Sequence, residues 1–404
     1  MKFANKTPFD ALCYQMVDKN DAEYNVFVAK VGFNLIQQEN GEYRVDIQDE
    51  NSVPLSFQDV YAGEMNKSAV LVESDLAPYK PYCDVVINAT AYAPGGKACS
   101  AFSVKAQLTS LDGEITLWSK EVDIIGERRI TRNSLTAHHI SQPKPFLSLP
   151  INYQYAFGGE CVIDKQDKRA SRIDKKYQLT EEQLIAYGDF PPCNAIAHTA
   201  CMSNPIGLGF CESWYLDVIK EDCWSAPRIM NVGRALSNSH ISKMLKGKMD
   251  LSDPVYSPAG FGFIGRGWSP RLAKAGTYDQ EWIDNRHPHL PHDFDFNYWN
   301  GAPEDQQVVE LPSGLHVSIT NVRPDGEISF NLPNHLAFIL LRAEQGVIPQ
   351  PMKLDTLLID TESLTVHLTY RYLIKADIPI SAAEFRYEIH PLTLLDKLYP
   401  RSSV

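Results

Sequence analysis

Between Leu364 and Ile374 the apolar side chains recur at every second position: Leu364, Val366, Leu368, Tyr370, Tyr372 and Ile374. Thr365, His367, Thr369 and Arg371 stand between them. A helix cannot satisfy a period of two, so this segment is committed to a strand with one buried face and one wet face. The polar turn Asp360–Ser363 predicts that it pairs back onto Thr356–Ile359. Alternation also marks Gly314–Thr320, and after the turn Arg323–Gly326 it resumes at Ile328, Phe330 and Leu332. Near the N-terminus, Tyr24–Asn34 and Tyr43–Ile47 flank Asn40-Gly41, a pair that favours a tight turn. Asp84–Tyr92 reads as a further strand, and Ala101–Leu108 with Glu114–Ile124 as a hairpin about Leu111-Asp112-Gly113. The chain is therefore expected to be mainly β with a few short helices, an α+β fold.

The organisation expected along the chain has three parts. Residues 1–130 form an N-terminal β-sandwich-like domain, with its strands between about 20 and 130. Residues 131–257 form an irregular connecting region with short helices. Residues 258–404 hold an aromatic-rich stretch followed by antiparallel strands. Within the middle region, Cys161–Lys176 is charged enough to read as an exposed loop. Thr180-Glu-Glu-Gln183 is a capping box opening a helix to about Tyr187, stopped by Pro191-Pro192. Arg234–Lys248 reads as a helix with Ile241, Met244 and Leu245 on one side, and the tail from His390 as a brief helix around Leu392–Leu395. Phe157-Gly-Gly159 and Asn204-Pro-Ile-Gly-Leu-Gly-Phe210 are places where the chain turns sharply or lets another backbone approach.

Charge narrows the partners. The 404 residues carry a formal net charge of -12, which disfavours nucleic acid and anionic membrane surfaces. Lys243, Lys246 and Lys248 make the clearest basic run, and a solvated helix face accounts for it. No apolar run approaches the roughly 20 residues that span a bilayer. The N-terminus has a lysine but no continuous apolar region and no small-residue cleavage site, so the expected location is the cytoplasm. Eight cysteines, none in a C-x-x-C, fit reduced and mostly buried thiols.

Pro258–Gln306 has neither helical nor strand periodicity, yet holds Phe261, Phe263, Trp268, Tyr278, Trp282, Phe294, Phe296, Tyr298 and Trp299. Disordered segments are poor in aromatics, so this stretch is expected to be ordered, as part of a core or as a functional loop. It contains two candidate chemistries. His287, His289 and His292 with Asp293 are metal-ligand types, but Pro288 and Pro291 keep them off a common helix face, so local hydrogen bonding is the stronger reading. Asp279, Asp284, Asp293 and Asp295 among aromatics suit a glycosidase cleft. They equally suit turn caps, pairs with Arg271 or Arg286, or a helix start at the capping box Thr277-x-x-Gln280. No G-x-S-x-G elbow is present, and Cys193, His198 and Cys201 lack an evident fourth ligand. Gly260-Phe-Gly262 lacks the spacing of a phosphate-binding loop. The residues point to no enzyme, no cofactor and no metal.

An ordered set of short segments carries a family resemblance. It runs Glu73-Ser-Asp-Leu-Ala-Pro-Tyr-Lys-Pro81 with Asp84, Ala91-Tyr-Ala-Pro94, Tyr155-Ala-Phe-Gly-Gly159 and Asn204–Phe210. Then come Pro258-Ala-Gly-Phe-Gly262, Trp268-Ser-Pro-Arg271, Ala275-Gly-Thr-Tyr-Asp279, Trp282, Leu290-Pro-His-Asp-Phe-Asp295 and Asn300-Gly-Ala-Pro303. Over roughly residues 20 to 335 the chain resembles an uncharacterised-domain family encoded beside type VI secretion spike genes, whose members act as effector adaptors or chaperones. The resemblance implies a cytoplasmic, non-enzymatic helper. It would bind a secreted toxin effector, often one with a PAAR-type tip domain, and help load it onto the valine–glycine repeat spike protein (VgrG). Phe261, Trp268, Arg271, Tyr278, Asp279, Trp282, Asp293 and Asp295 are the residues expected to face the partner, since interface hot spots favour aromatics and arginine. The competing expectation is a carbohydrate-active or other hydrolase using the Asp-rich stretch 278–295.

Overall fold

The computed structural model describes residues 1–48, 53–134, 137–187, 193–312 and 314–389. Its centre is a thirteen-stranded sheet, nearly closed on itself, that winds around one large apolar core. The order across it is Ser148–Ile151, Cys83–Tyr92, Lys353–Asp360, Thr365–Lys375, Glu23–Gln37 and Tyr43–Ile47. It continues through Gly326–Asn331, His316–Arg323, Ala101–Thr109, Thr116–Ile125 and Ile229–Asn231. Asp10–Val17 and Gln307–Val308 add to Glu23–Gln37 and Cys83–Tyr92. The fold is mainly β with short helices, as expected.

Sequence neighbours pair where turn chemistry demands it. Lys353–Asp360 and Thr365–Lys375 form the expected antiparallel hairpin, and Ala101–Thr109 pairs with Thr116–Ile125 about Gly113. Glu23–Gln37 with Tyr43–Ile47, and His316–Arg323 with Gly326–Asn331, pair in the same local way, while other pairings join distant parts of the chain. Glu23–Gln37 runs antiparallel to Thr365–Lys375, and Cys83–Tyr92 runs parallel to Lys353–Asp360. The N-terminal strands therefore do not close a sandwich by themselves, because their inward residues are completed by strands from beyond residue 306. A smaller sheet of Lys2–Asn5, Ile380–Glu388, Leu336–Ala343 and Gly346–Pro351 contributes Ile339, Leu341 and Phe385 to the same core.

The middle of the chain builds a second apolar cluster around Cys161, Ile163, Trp214, Leu216, Ile241, Met244 and Tyr256. Helix Asn238–Leu245 lies inside the expected range and buries the expected Ile241, Met244 and Leu245. Thr180 and Gln183 exchange the reciprocal bonds of a capping box ahead of helix Glu181–Tyr187. The Pro191-Pro192 stop and the tail beyond Ile389 lie outside the described residues. Two expectations need correction. Glu160–Asp164 is a strand paired with Ala195–Ala200, not an exposed loop, because Cys161 and Ile163 turn inward while the charges turn out. Leu364 closes the turn with a φ of 53° and does not open the strand.

The polar face of Thr365–Lys375 is the larger correction. Thr369 and Arg371 are buried, as are Lys30 and Thr356 on the neighbouring strands. A period of two identified which side chains share a face; it did not reveal that the face opposite the core is also covered.

Candidate functional site

What covers that face is the pair of segments 73–84 and 258–306. Pro78 and Pro81 keep the first out of regular structure, and it crosses the sheet as a loop leading into Cys83–Tyr92. Its charged side chains point down onto the strands. Lys30 Nζ meets Asp75 Oδ2 at 2.8 Å, and Lys80 Nζ meets Asp84 Oδ2 at 2.8 Å. Lys80 also donates to Thr356 Oγ1 at 2.9 Å, and that hydroxyl donates to Asp355 Oδ1 at 3.0 Å. Arg371 Nε binds Asp355 Oδ2 at 2.5 Å, Nη2 reaches the Asp75 carbonyl at 3.0 Å, and Nη1 reaches Tyr14 Oη at 3.3 Å. Asp355 sits where the strand register slips between Leu354 and Thr356. Such a bulge re-aims a side chain, and here the carboxylate faces Arg371.

The stretch 258–306 is clamped onto this network by buried polar groups. Arg271 pairs with Glu73 and donates to the carbonyls of Ile264 (2.9 Å) and Tyr298 (3.1 and 2.9 Å). Asn300 Nδ2 donates to Asp84 Oδ1 at 2.8 Å and to the Tyr82 carbonyl at 3.0 Å. Gln306 Nε2 donates to the carbonyls of Val85 and Phe261, both at 2.8 Å. Within the network, the buried cations Lys30, Lys80, Arg271 and Arg371 are matched by the buried carboxylates Glu73, Asp75, Asp84 and Asp355, while Lys120, also buried, pairs with Asp305 at the far end of the stretch. Burial pushes the Lys80 ammonium down, but Asp84, Asp355 and Glu73 outweigh it and hold the group above its ordinary value. A network this dehydrated persists only because its members are mutually satisfied.

Above the network lies a cavity of about 460 Å³, within the usual size range of ligand sites. Met16, Tyr24, Tyr79, Phe296, Tyr372 and Leu373 form its walls. Lys80, Lys353, Asp355 and Arg371 form its floor. Tyr79 and Phe296 meet edge-on with centroids 5.9 Å apart, so the two motif-bearing segments meet at this rim. The site combines a rigid charged base with aromatic walls, an arrangement suited to binding.

The eight residues expected to face a partner divide into two groups. Phe261, Trp268 and Arg271 are buried, Phe261 at 0% exposure, and Trp268 packs edge-on against Tyr153 at 5.4 Å. They build the scaffold and present no surface, because the segment folds its apolar side onto the sheet. Tyr278 is 50% exposed and packs edge-on against the partly buried Trp282 at 4.7 Å. Asp279 is the N-cap of helix Gln280–Asn285, accepting from Trp282 N at 2.9 Å, so the helix begins two residues later than a Thr277 cap would place it. Thr277 instead donates to Asp293 through its amide (3.0 Å) and hydroxyl (2.8 Å). Asp295 caps the turn Phe296–Trp299.

The histidines are spread over the surface. His287 packs against the Trp282 ring, His289 faces Asp21 at 3.5 Å, and His292 faces the Lys19 carbonyl at 3.1 Å. Arg286 pairs with Asp21, so neither Arg286 nor Arg271 takes a carboxylate from within the stretch. His198 lies 3.1 Å from Glu160, and Cys201 lies 3.2 Å from Ser203. Lys30, Lys80, Asp84, Lys353, Asp355 and Arg371 escaped sequence reasoning as site residues. The available signal was the ordered segment from Glu73 to Asp84, followed by charges at alternate positions of a strand.

A family model described as an uncharacterized protein conserved in bacteria (DUF2169) matches residues 20–371, a span that includes the whole ion network from Lys30 to Arg371. No curated protein and no solved structure matches the chain. No helix among the described residues is long and apolar enough to cross a membrane.

Proposed function

The chain belongs to the DUF2169 family of bacterial proteins, and from that premise we propose that it is a non-enzymatic, cytoplasmic adaptor or chaperone for a type VI secretion effector. It holds the toxin, often one with a PAAR-type tip domain, and helps load it onto the VgrG spike before firing. The observation that carries this reading is the convergence of Tyr79-Lys80, from the motif Glu73–Pro81, and Phe296, directly after the motif Leu290–Asp295, on one aromatic-rimmed cavity above a neutralised ion network. A preformed, rigid surface lowers the ordering cost of association, which is what a dedicated holder requires. Exposed Leu272, Tyr278 and Ile283 add apolar contact area in the same stretch. The net charge of -12 favours encounter with a basic cargo.

Three acids of the alternative hydrolase site have structural duties. Asp279 caps the helix Gln280–Asn285, Asp295 caps the turn Phe296–Trp299, and Asp293 holds Thr277. The test is purification of the tagged protein from its native host, together with deletion of its gene. An identified effector or spike protein should co-purify in stoichiometric amount, and secretion of that effector should cease in the deletion strain. Recovery of the chain alone, with effector secretion intact after deletion, overturns the reading.

A further inference from the structure

The floor of the 460 Å³ cavity is not electrically uniform. Lys80 and Arg371 are each held by a carboxylate of the network, Asp84 and Asp355. Lys353 is different. Its Nζ donates to the Pro81 carbonyl at 2.5 Å, and no carboxylate of the described residues lies within ion-pair distance of it. An ammonium has three donors, so Lys353 keeps hydrogen-bonding capacity and an unneutralised charge beside a half-enclosed apolar space. Asp18, at the same cavity, has its Oδ1 committed to the amides of Asn20 (2.8 Å) and Ala22 (3.0 Å). Its negative charge stands at the same cavity and disfavours a ligand carrying more than one negative charge. The walls are aromatic rings, a thioether and an aliphatic side chain, which reward an apolar body.

We propose that this cavity is a binding site for a monocarboxylate with an aromatic or branched aliphatic body. The carboxylate pairs with Lys353 Nζ, and the body lies among Tyr79, Phe296 and Tyr372. A small organic acid and the free C-terminus of a polypeptide ending in an apolar residue share this chemistry. The inference rests on the cavity and goes beyond the adaptor reading. It can hold or fail whichever way co-purification turns out.

Met16 lines the cavity and provides a reporter. The full-length chain, labelled with 13C at its methionine methyls and with the Met16 signal identified through Met16→Leu, is titrated with 3-phenylpropionate and 3-phenylpropionamide. A short peptide ending in Phe, with a free or an amidated terminus, is titrated in parallel. The expected result is a saturable Met16 shift with the acid or the free-terminus peptide, and about tenfold or more weaker binding of the matching amide. Lys353→Gln should weaken the acid by a similar factor and bring acid and amide together, with the melting temperature unchanged. Response to the peptide alone identifies a chain terminus as the source; response to both identifies the carboxylate chemistry itself. Equal binding of acid and amide to the unaltered chain, or an unmoved Met16 signal with every probe, overturns the proposal. The acid–amide comparison needs no variant, so a misfolded Lys353→Gln chain leaves the test intact.

Discussion

Asn300 Nδ2 donates to Asp84 Oδ1 at 2.8 Å across a separation of 216 positions. The other carboxylate oxygen takes Lys80 Nζ at 2.8 Å and the Gly301 amide at 2.9 Å. One fully buried carboxylate thus ties the loop 73–84 and the irregular stretch 258–306 to the same strand. The stretch is ordered without regular structure because its polar side chains and amides find buried partners of this kind.

Asp84→Ala should be severe. It leaves the Lys80 ammonium unpaired in the interior and orphans two donors, at a cost of about 3–5 kcal/mol. Denaturant unfolding measures the loss, and trypsin should gain access to Arg266 and Arg271. Adding Lys80→Met should recover part of the stability. A loss under about 1 kcal/mol in the single variant would show that the clamp contributes little.

The Arg371–Asp355 pair allows a cleaner partition. Each single variant, Arg371→Met or Asp355→Leu, strands a buried charge and should cost about 3–5 kcal/mol, whereas the double variant should cost less than either. A double-mutant cycle by denaturant unfolding gives the coupling. Additive losses would mean that the two groups do not depend on each other.

Gly158 has a φ of 151°, and a Cβ there would stand 2.0 Å from the Asn204 carbonyl oxygen. That carbonyl belongs to rigid backbone beside Asn204 Nδ2, which holds the Tyr153 and Phe157 carbonyls at 2.8 and 3.0 Å. Gly158→Ala should therefore cost roughly 2–4 kcal/mol from strain and overpacking together. A melting temperature within a degree or two of the parent would refute the close approach.

His367 links stability to pH. Burial, reinforced by the Lys30 charge, depresses its imidazole to about 4, against 6.5 for the free group. Between those values the unfolded chain binds a proton that the native chain does not, so stability rises with pH. The contribution is present above about 6.5 and is lost as pH falls toward 4, reaching at most about 3 kcal/mol. His367→Gln should flatten the unfolding free energy across that window. An unchanged slope would place the titration elsewhere.

The residues expected to face a partner should separate by assay. Phe261→Ala opens a core cavity and should cost about 3–5 kcal/mol. Tyr278→Ala and Ile283→Ala lie at half-exposed positions and should leave stability within about 0.5 kcal/mol. If the adaptor reading holds, they should weaken effector capture. Destabilisation by Tyr278→Ala equal to that by Phe261→Ala would place Tyr278 in the core.

Local chemistry was legible in the sequence wherever partners are near neighbours. The hairpin about Asp360–Ser363, the capping box of Thr180 with Gln183, and the buried side of helix Asn238–Leu245 each depend on contacts a few residues apart. The order and aromatic content of 258–306 were also legible, because nine aromatics in about fifty residues do not stay solvated. The family resemblance ran through the segments that later proved to build the network, from Glu73 to Asp84 and from Arg271 to Asn300.

The pattern of residues alone determined that Thr365–Lys375 is a strand, and that Thr369 and Arg371 share a face. Only the tertiary structure decided that this face is buried. Its partners come from Asp75, whose carboxylate accepts from Thr369 across 294 positions and whose backbone carbonyl accepts from Arg371 across 296, and from the carboxylate of Asp355, which a bulge turns toward Arg371. A side chain's charge is written in the sequence. Whether it meets water or an opposite charge depends on which distant segment packs over it, because period reports direction and only packing supplies the partner.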